Sequence, residues 1–266
     1  VKLVQNVGER SNTTLDILSV VLLAAGITAF VYSVGEFSTN LIAGVVALFA
    51  AVVLLGLFAA RQLKLEHPVL NVRPMASVRF WPACLLVVVS MMTTFSMSVL
   101  LPLYFEGAYG MTALIAGLLI LPAIACNAVT SIVGGRVMDA RGAWPLLPVG
   151  FALIAVGQTA ISMTAASMNI GVVVALTVVV YAGVGLVLSP SQTAGLETLP
   201  AAEHPHGTAL LNTWNMIAAS FGPSLFIGLL SSSAAAASVA GAAIDVAQAI
   251  GFAAAVRVAA VIAVVG

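Results

Sequence analysis

Gly134-Gly135-Arg136-Val137-Met138-Asp139-Ala140-Arg141-Gly142 stands between two long apolar runs. Only 7% of the chain is Asp, Glu, Lys or Arg, against roughly a quarter in an ordinary soluble protein. Arg136, Asp139 and Arg141 crowd into this one stretch, with glycines on either side that let helices come close. The stretch reads as a charged turn between two membrane helices. Asp139 is expected near the start of the following helix, where the positive field of that N-terminus would hold it as a cap. Arg136 and Arg141 are expected to pair with carboxylates or with helix-end carbonyls. On pattern alone, an ordinary charged loop accounts for the same residues equally well.

Composition sets the class. Hydrophobic residues make up 62% of the 266 residues and the mean hydropathy is +1.17, which excludes a water-soluble domain. The net charge of +0 carries no basic patch, so no nucleic-acid partner is implied. Cys84 and Cys126 lie inside apolar runs and read as small membrane-core residues, not as a disulfide pair. The first apolar run follows Glu9, Arg10 and Asp16 and is too long for a signal peptide. The chain begins at Val1 and ends at Gly266 within an apolar run, so it is expected to be part of a longer protein.

A membrane helix needs about 20 apolar residues, and eight runs qualify. They are Leu15 to Ser33, Leu41 to Ala60, Phe80 to Phe105 (broken near its end by Pro102), Thr112 to Val133, Trp144 to Thr164, Ile170 to Leu188, Gly207 to Leu230 and Gly251 to Gly266. A polar linker, Arg61 to Arg79, follows the second run. A loop with Glu197, Glu203, His204 and His206 follows the sixth, and its histidines read as solvated. A small-residue stretch, Ser231 to Gln248, precedes the last run. The fold class is all-α, a polytopic helical bundle. It divides into two helices over 1–60, a linker over 61–79 and a bundle over 80–266.

Alternating these spans puts Lys2, Arg10, Arg61, Lys64, Arg73, Arg79, Arg136 and Arg141 on one side, and the opposite loops carry no Lys or Arg. By the positive-inside rule that side is cytoplasmic. Asn12-Thr13-Thr14 matches a glycosylation pattern but falls on this side, so it is discounted. Arg257 sits in the last run. It is expected at the outer end, snorkelling to the interface, with the helix continuing past Gly266.

Ionisable groups are nearly absent within the spans, which leaves polar and aromatic side chains as candidate contacts. Ser90, Met91, Thr94, Phe95 and Ser98 fall on one face of the third span. Asn127 lies within the fourth. On the seventh, Asn212 and Asn215 share a face with Met216, while Trp214 points elsewhere. Buried amides in lipid need partners, so they face the bundle interior. Taken singly, each reads first as interhelical glue worth about 1 kcal/mol. As a set they read as a cavity surface, and Met and Phe suit a pocket that adapts to many shapes. Gly183 with Gly185, and Gly222 with Gly228, fit close helix packing. No metal-ligand set, nucleotide-binding loop or other cofactor motif is present.

Three stretches in order resemble the major facilitator superfamily: Leu101-Pro102-Leu103-Tyr104-Phe105-Glu106, Gly117-Leu118-Leu119-Ile120-Leu121-Pro122, and Gly135 to Gly142. The chain is similar in particular to the fourteen-span drug:proton antiporters of the multidrug and lincomycin-resistance type. Gly183-Val184-Gly185-Leu186, Ser189-Pro190, His206-Gly207-Thr208-Ala209, Asn212-Thr213, Leu15-Asp16, and the linker from Arg61-Gln62-Leu63 to Pro68-Val69-Leu70 carry that closer likeness. The resemblance makes the first two spans the family's extra helices, seventh and eighth, and the other six its C-terminal bundle.

It implies an exporter of hydrophobic or cationic compounds in exchange for protons by alternating access, in the bacterial cytoplasmic membrane. The third, fourth, sixth and seventh spans would line the cavity. Gly135, Arg136, Asp139, Arg141 and Gly142 would form a conformational latch. The main proton-coupling carboxylates would lie in an N-terminal half, the chain's partner, so residues 1–266 alone are expected not to transport.

Two departures stand out. Ala143 and Trp144 follow Gly142 where relatives carry a basic residue, which weakens the latch. Glu106 replaces a common Gln, and is either a solvated helix-end charge or a proton or cation site. Export of an endogenous metabolite or antibiotic is the alternative within transport. A membrane enzyme or scaffold is the alternative outside it, and an enzyme would need a His, Asp or Glu cluster at one face that this chain lacks outside the turn.

Overall fold

The computed structural model describes residues 16–36, 40–65, 72–167 and 169–265. The readings at Lys2, Arg10, Asn12 to Thr14 and residues 66–71 lie outside them. The described residues form eight helices long and apolar enough to cross a membrane: α1 (Ile17–Glu36), α2 (Leu41–Lys64), α3 (Phe80–Tyr109), α4 (Ala113–Arg141), α5 (Leu146–Thr164), α6 (Ile170–Glu197), α7 (His204–Val239) and α8 (Ile244–Val265). The expected all-α membrane bundle is present.

Most helices outrun their apolar stretches. The 30 residues of α3 reach about 45 Å at about 1.5 Å per residue, beyond a hydrocarbon core of about 30 Å. Hydropathy marks only the part of a helix that lipid surrounds. Propensity carries the rest into the interface, as where the Ser/Ala stretch after Leu230 extends α7 to Val239. Pro102 does not break α3; the helix continues through it to Tyr109. Prolines also sit inside α4, α6 and α7, where neighbouring helices support the backbone. Stops come from the turns. Gly110 ends α3 at φ 62°, with its N–H donating to Glu106 and Phe105 carbonyls. Gly142 ends α4 at φ 76°, and Gly241 turns α7 into α8 at φ 91°. Asn40 and Asn169 start α2 and α6 by accepting from Ala43 and Val172 N–H groups.

The bundle is α3 to α8. Helix α6 lies between α4 and α5, and α3 packs on α6, α7 and α8. Exchanging α3-α4-α5 for α6-α7-α8 maps α4·α6 onto α7·α3 and α5·α6 onto α8·α3, as two repeats of three helices would. The exception is α7·α8, which pack closely where α4 and α5 barely touch. Lipid supplies little hydrophobic drive between helices, so close approach at small residues does that work. Gly183 and Gly185 are two residues apart and therefore on opposite sides of α6. A Cβ on Gly183 would lie 2.6 Å from the Gly150 carbonyl of α5, and one on Gly185 would strike Thr130 of α4. Gly222 likewise admits α3, 3.1 Å from the Met92 Cα, whereas Gly228 faces open space. Helices α1 and α2 form a hairpin whose main contact with the bundle is through α7.

Candidate functional site

The motif at 134–142 is helical, not a turn. Helix α4 runs through it to Arg141, so Asp139 sits in the last turn of α4 and caps nothing. Helix α5 starts after Pro145 without a side-chain cap. In the last turn of α4, the Asp139 carboxylate faces the negative end of that helix's dipole. Among the described residues Arg136, Asp139 and Arg141 make no ion pair with one another or with a neighbour, and all three are exposed. The two glycines divide the work: Gly134 is buried against Gly185 and Leu186 of α6, while a Cβ on Gly135 would meet no atom within 4 Å. The motif therefore offers an uncovered, charged edge at the C-terminal end of α4.

The cavity candidates separate into two groups. Ser90 is buried and donates to the Leu86 carbonyl, and Thr94 donates to Ser90, both within α3. Asn127 donates to the Tyr181 carbonyl at 3.0 Å, joining α4 to α6 beside Gly185. These three are held inside the bundle. Phe95 and Ser98 on α3, and Asn212 and Met216 on α7, are exposed, Met216 to 67%. Met91 is half-buried between the groups. Asn215 is partly buried, with a shielded Oδ1 that has no partner among the described residues. Trp214 points away, its ring N–H on the Met75 sulfur and its edge on Trp81. Glu106 is exposed near the C-terminal end of α3.

Sequence reading missed several polar anchors. Asp16 accepts from Arg61 at 2.7 and 3.1 Å and from Ser19 at 2.6 Å, and Gln62 donates to Ser19 at 2.6 Å. The Arg61 and Ser19 hydrogen bonds hold the Asp16 carboxyl well below the usual carboxylate range. This ties the start of α1 to the end of α2, and opposite charges at matching ends of adjacent antiparallel spans were the available signal. Tyr104 is fully buried, donates to the Ala165 carbonyl at 2.8 Å and stacks on Phe252 of α8 at 4.2 Å. Gln158 is 0% exposed in mid-α5, and no periodicity distinguished it. Arg257 was misplaced, because α8 starts at Ile244 and not at Gly251. It therefore lies just past the middle of α8, exposed on the helix surface. His204 starts α7, with its ring on the Leu199 carbonyl at 3.2 Å.

The sequence pattern of the Major Facilitator Superfamily matches residues 15–223. The chain belongs to that superfamily. Within it, the chain is 31% identical over 233 residues to the lincomycin resistance protein LmrB of Listeria monocytogenes, covering 86% of this chain and 50% of that protein. It is 30% identical over 234 residues to LmrB of Bacillus subtilis, covering 85% and 48%, and 21% identical over 219 residues to the riboflavin transporter RibZ of Clostridioides difficile, covering 82% and 47%. The chain spans about half the length of these curated relatives. Several stretches that carried the superfamily likeness have structural work here: Gly183 and Gly185 wedge α6, Tyr104 pins the C-terminal end of α3, and Asp16 and Arg61 join the first two helices.

Proposed function

We propose that this chain is the C-terminal part of a bacterial cytoplasmic-membrane exporter that moves hydrophobic or cationic compounds outward in exchange for protons. The observation that carries the proposal is the split among the polar residues of α3 and α7. Ser90 and Thr94 are bonded within their own helix, whereas Phe95, Ser98, Asn212 and Met216 stay uncovered. An uncovered face of that composition matches one side of a substrate path, with Met91 and Asn215 at its margin. An N-terminal half of the same transporter supplies the opposing side and the main proton-coupling carboxylates. Ser90, Thr94 and Asn127 then shape the cavity wall from behind.

In this reading the bundle rocks as a body about a midplane site. Gly135 gives the N-terminal half close access to α4. Arg136, Asp139 and Arg141 pair across that seam in one conformation and separate in the other, and Gly142 sets the helix end. Asp139 is poorly placed against its own helix dipole, which favours a partner from outside the bundle. Glu106 at the outer mouth attracts protons or cationic cargo.

Efflux from a drug-hypersensitive host expressing the complete transporter tests this. Asn212→Leu is expected to change which compounds are exported, and Asp139→Asn to lower export of all of them at unchanged protein level. Unaltered efflux in both sinks the proposal. The likeness to a riboflavin transporter motivates including metabolites in the panel, since export of an endogenous compound is the second reading.

A further inference from the structure

The hairpin and the bundle part company toward the outer face. At the cytoplasmic end the hairpin is fixed by Asp16, Ser19, Arg61 and Gln62. Further along, Phe30 of α1 meets Phe221 of α7 with ring centroids 6.2 Å apart. Beyond that contact a crevice of about 920 Å³ opens between the helices, lined among others by Val34, Gly35, Phe221, Ser224, Gly228 and Ser232. That size lies within the range of about 300–1,000 Å³ typical of ligand pockets.

The wall chemistry is narrow. Among the described residues, none with an ionisable side chain lines the crevice. The Ser224 and Ser232 hydroxyls donate to the Ser220 and Leu229 carbonyls of their own helix, so they present no free donor. Gly35 and Gly228 widen the space, since a Cβ on either would meet no atom within 4 Å. The length is equally specific. From Phe221 to Ser232 the crevice follows α7 for about 16 Å at about 1.5 Å per residue, close to one leaflet of about 15 Å in a hydrocarbon core of about 30 Å. It ends where the apolar run of α7 ends, at Leu230 to Ser232.

We infer that this crevice holds one acyl chain of a membrane phospholipid, methyl end on the Phe30–Phe221 floor and ester end at Ser231 and Ser232. A charged cargo finds no counter-charge there, and a compact polar one finds no free donor on Ser224 or Ser232. The bilayer at that depth supplies an aliphatic chain of matching length. The chain would fill the gap that keeps the hairpin from closing on α7. The assignment does not depend on which compounds the transporter moves.

Native mass spectrometry of the protein purified from membranes tests it, counting phospholipid retained after detergent exchange. Wild type is expected to keep about one phospholipid per chain. Gly228→Leu and Gly35→Leu, which fill the crevice from opposite walls, are expected to lower retention several-fold. Leucine is the better helix former, so circular dichroism melting should show both variants folded. Gly117→Leu, at another open glycine on α4, is expected to leave retention unchanged. Equal retention in wild type and both crevice variants overturns the inference, as does a wild type that retains none. Loss in Gly117→Leu as well overturns it, because only boundary lipid would then have been counted. So does retention of an exported lipophilic compound in place of phospholipid.

Discussion

A methyl group at position 185 has nowhere to go. A Cβ on Gly185 would collide with the Thr130 hydroxyl and lie 2.7 Å from the Asn127 carbonyl and 3.0 Å from the Ser131 amide. Two of those contacts are backbone of α4, which cannot rotate aside. Gly185→Ala is expected to lower stability by about 1–3 kcal/mol, the usual cost of overpacking. Thermal unfolding in detergent would read it, and a melting point equal to wild type would count against the α4–α6 contact described. Asp16 is a second test at this scale. Its carboxyl is held below the 3.8 of a free aspartate, chiefly by Arg61 and then by Ser19. The unfolded chain therefore takes up the proton more readily, and the stabilisation is present above that value and lost as pH falls below it. Melting of wild type should decline as pH drops below about 4. Asp16→Asn should melt lower at neutral pH and lack this acid component; parallel pH profiles would refute the pair's role.

The α1–α2 hairpin is an element with its own cooperativity. Its helices hold each other along their length and share the Asp16–Arg61 pair, but they meet the bundle mainly at α7. Local opening follows such seams. Hydrogen exchange in detergent is expected to show α1 and α2 exchanging together and faster than α5 and α6, whose glycines interlock at Gly150 and Gly183. Uniform protection across all eight helices would argue against a separable hairpin. Element existence was legible from hydropathy alone, since every apolar run became a helix. Element ends were not. Continuation of α4 to Arg141 is governed by Gly142 at positive φ and not by loss of hydrophobicity at Val133. That is why Asp139 was assigned to the wrong helix.

For the whole molecule, the orientation makes a sharp prediction. The positive-inside reading assigns Thr112, between α3 and α4, to the outer face and Trp144, between α4 and α5, to the cytoplasmic face. Both are exposed. With Cys84 and Cys126 replaced, an impermeant thiol reagent added to intact cells should label Thr112→Cys and spare Trp144→Cys. The reverse pattern would invert the topology. The packing already supports strict alternation: Gly107 at one end of α3 faces Gln248 at the start of α8, while Gly195 and Gly207 meet at Phe80 at the other end.

The sequence by itself determined that the chain is a membrane protein, how many helices its described part contains and which superfamily it resembles. The first two follow from a summed property, hydropathy over about 20 residues, and the resemblance from short motifs; both survive without knowing any contact. The tertiary structure alone decided which polar residues are glue and which are uncovered. Ser90 and Phe95 were grouped on one face of α3, yet one is buried and the other exposed, because five residues at about 100° each set them about 140° apart around the helix and a neighbouring helix covers only one of them. It also decided that Gly134 packs while Gly135 stays open, that the hairpin is tied at Asp16 and Arg61, and that a crevice separates it from α7. Those outcomes depend on where helices cross, and crossing is set by side-chain volumes on two helices at once.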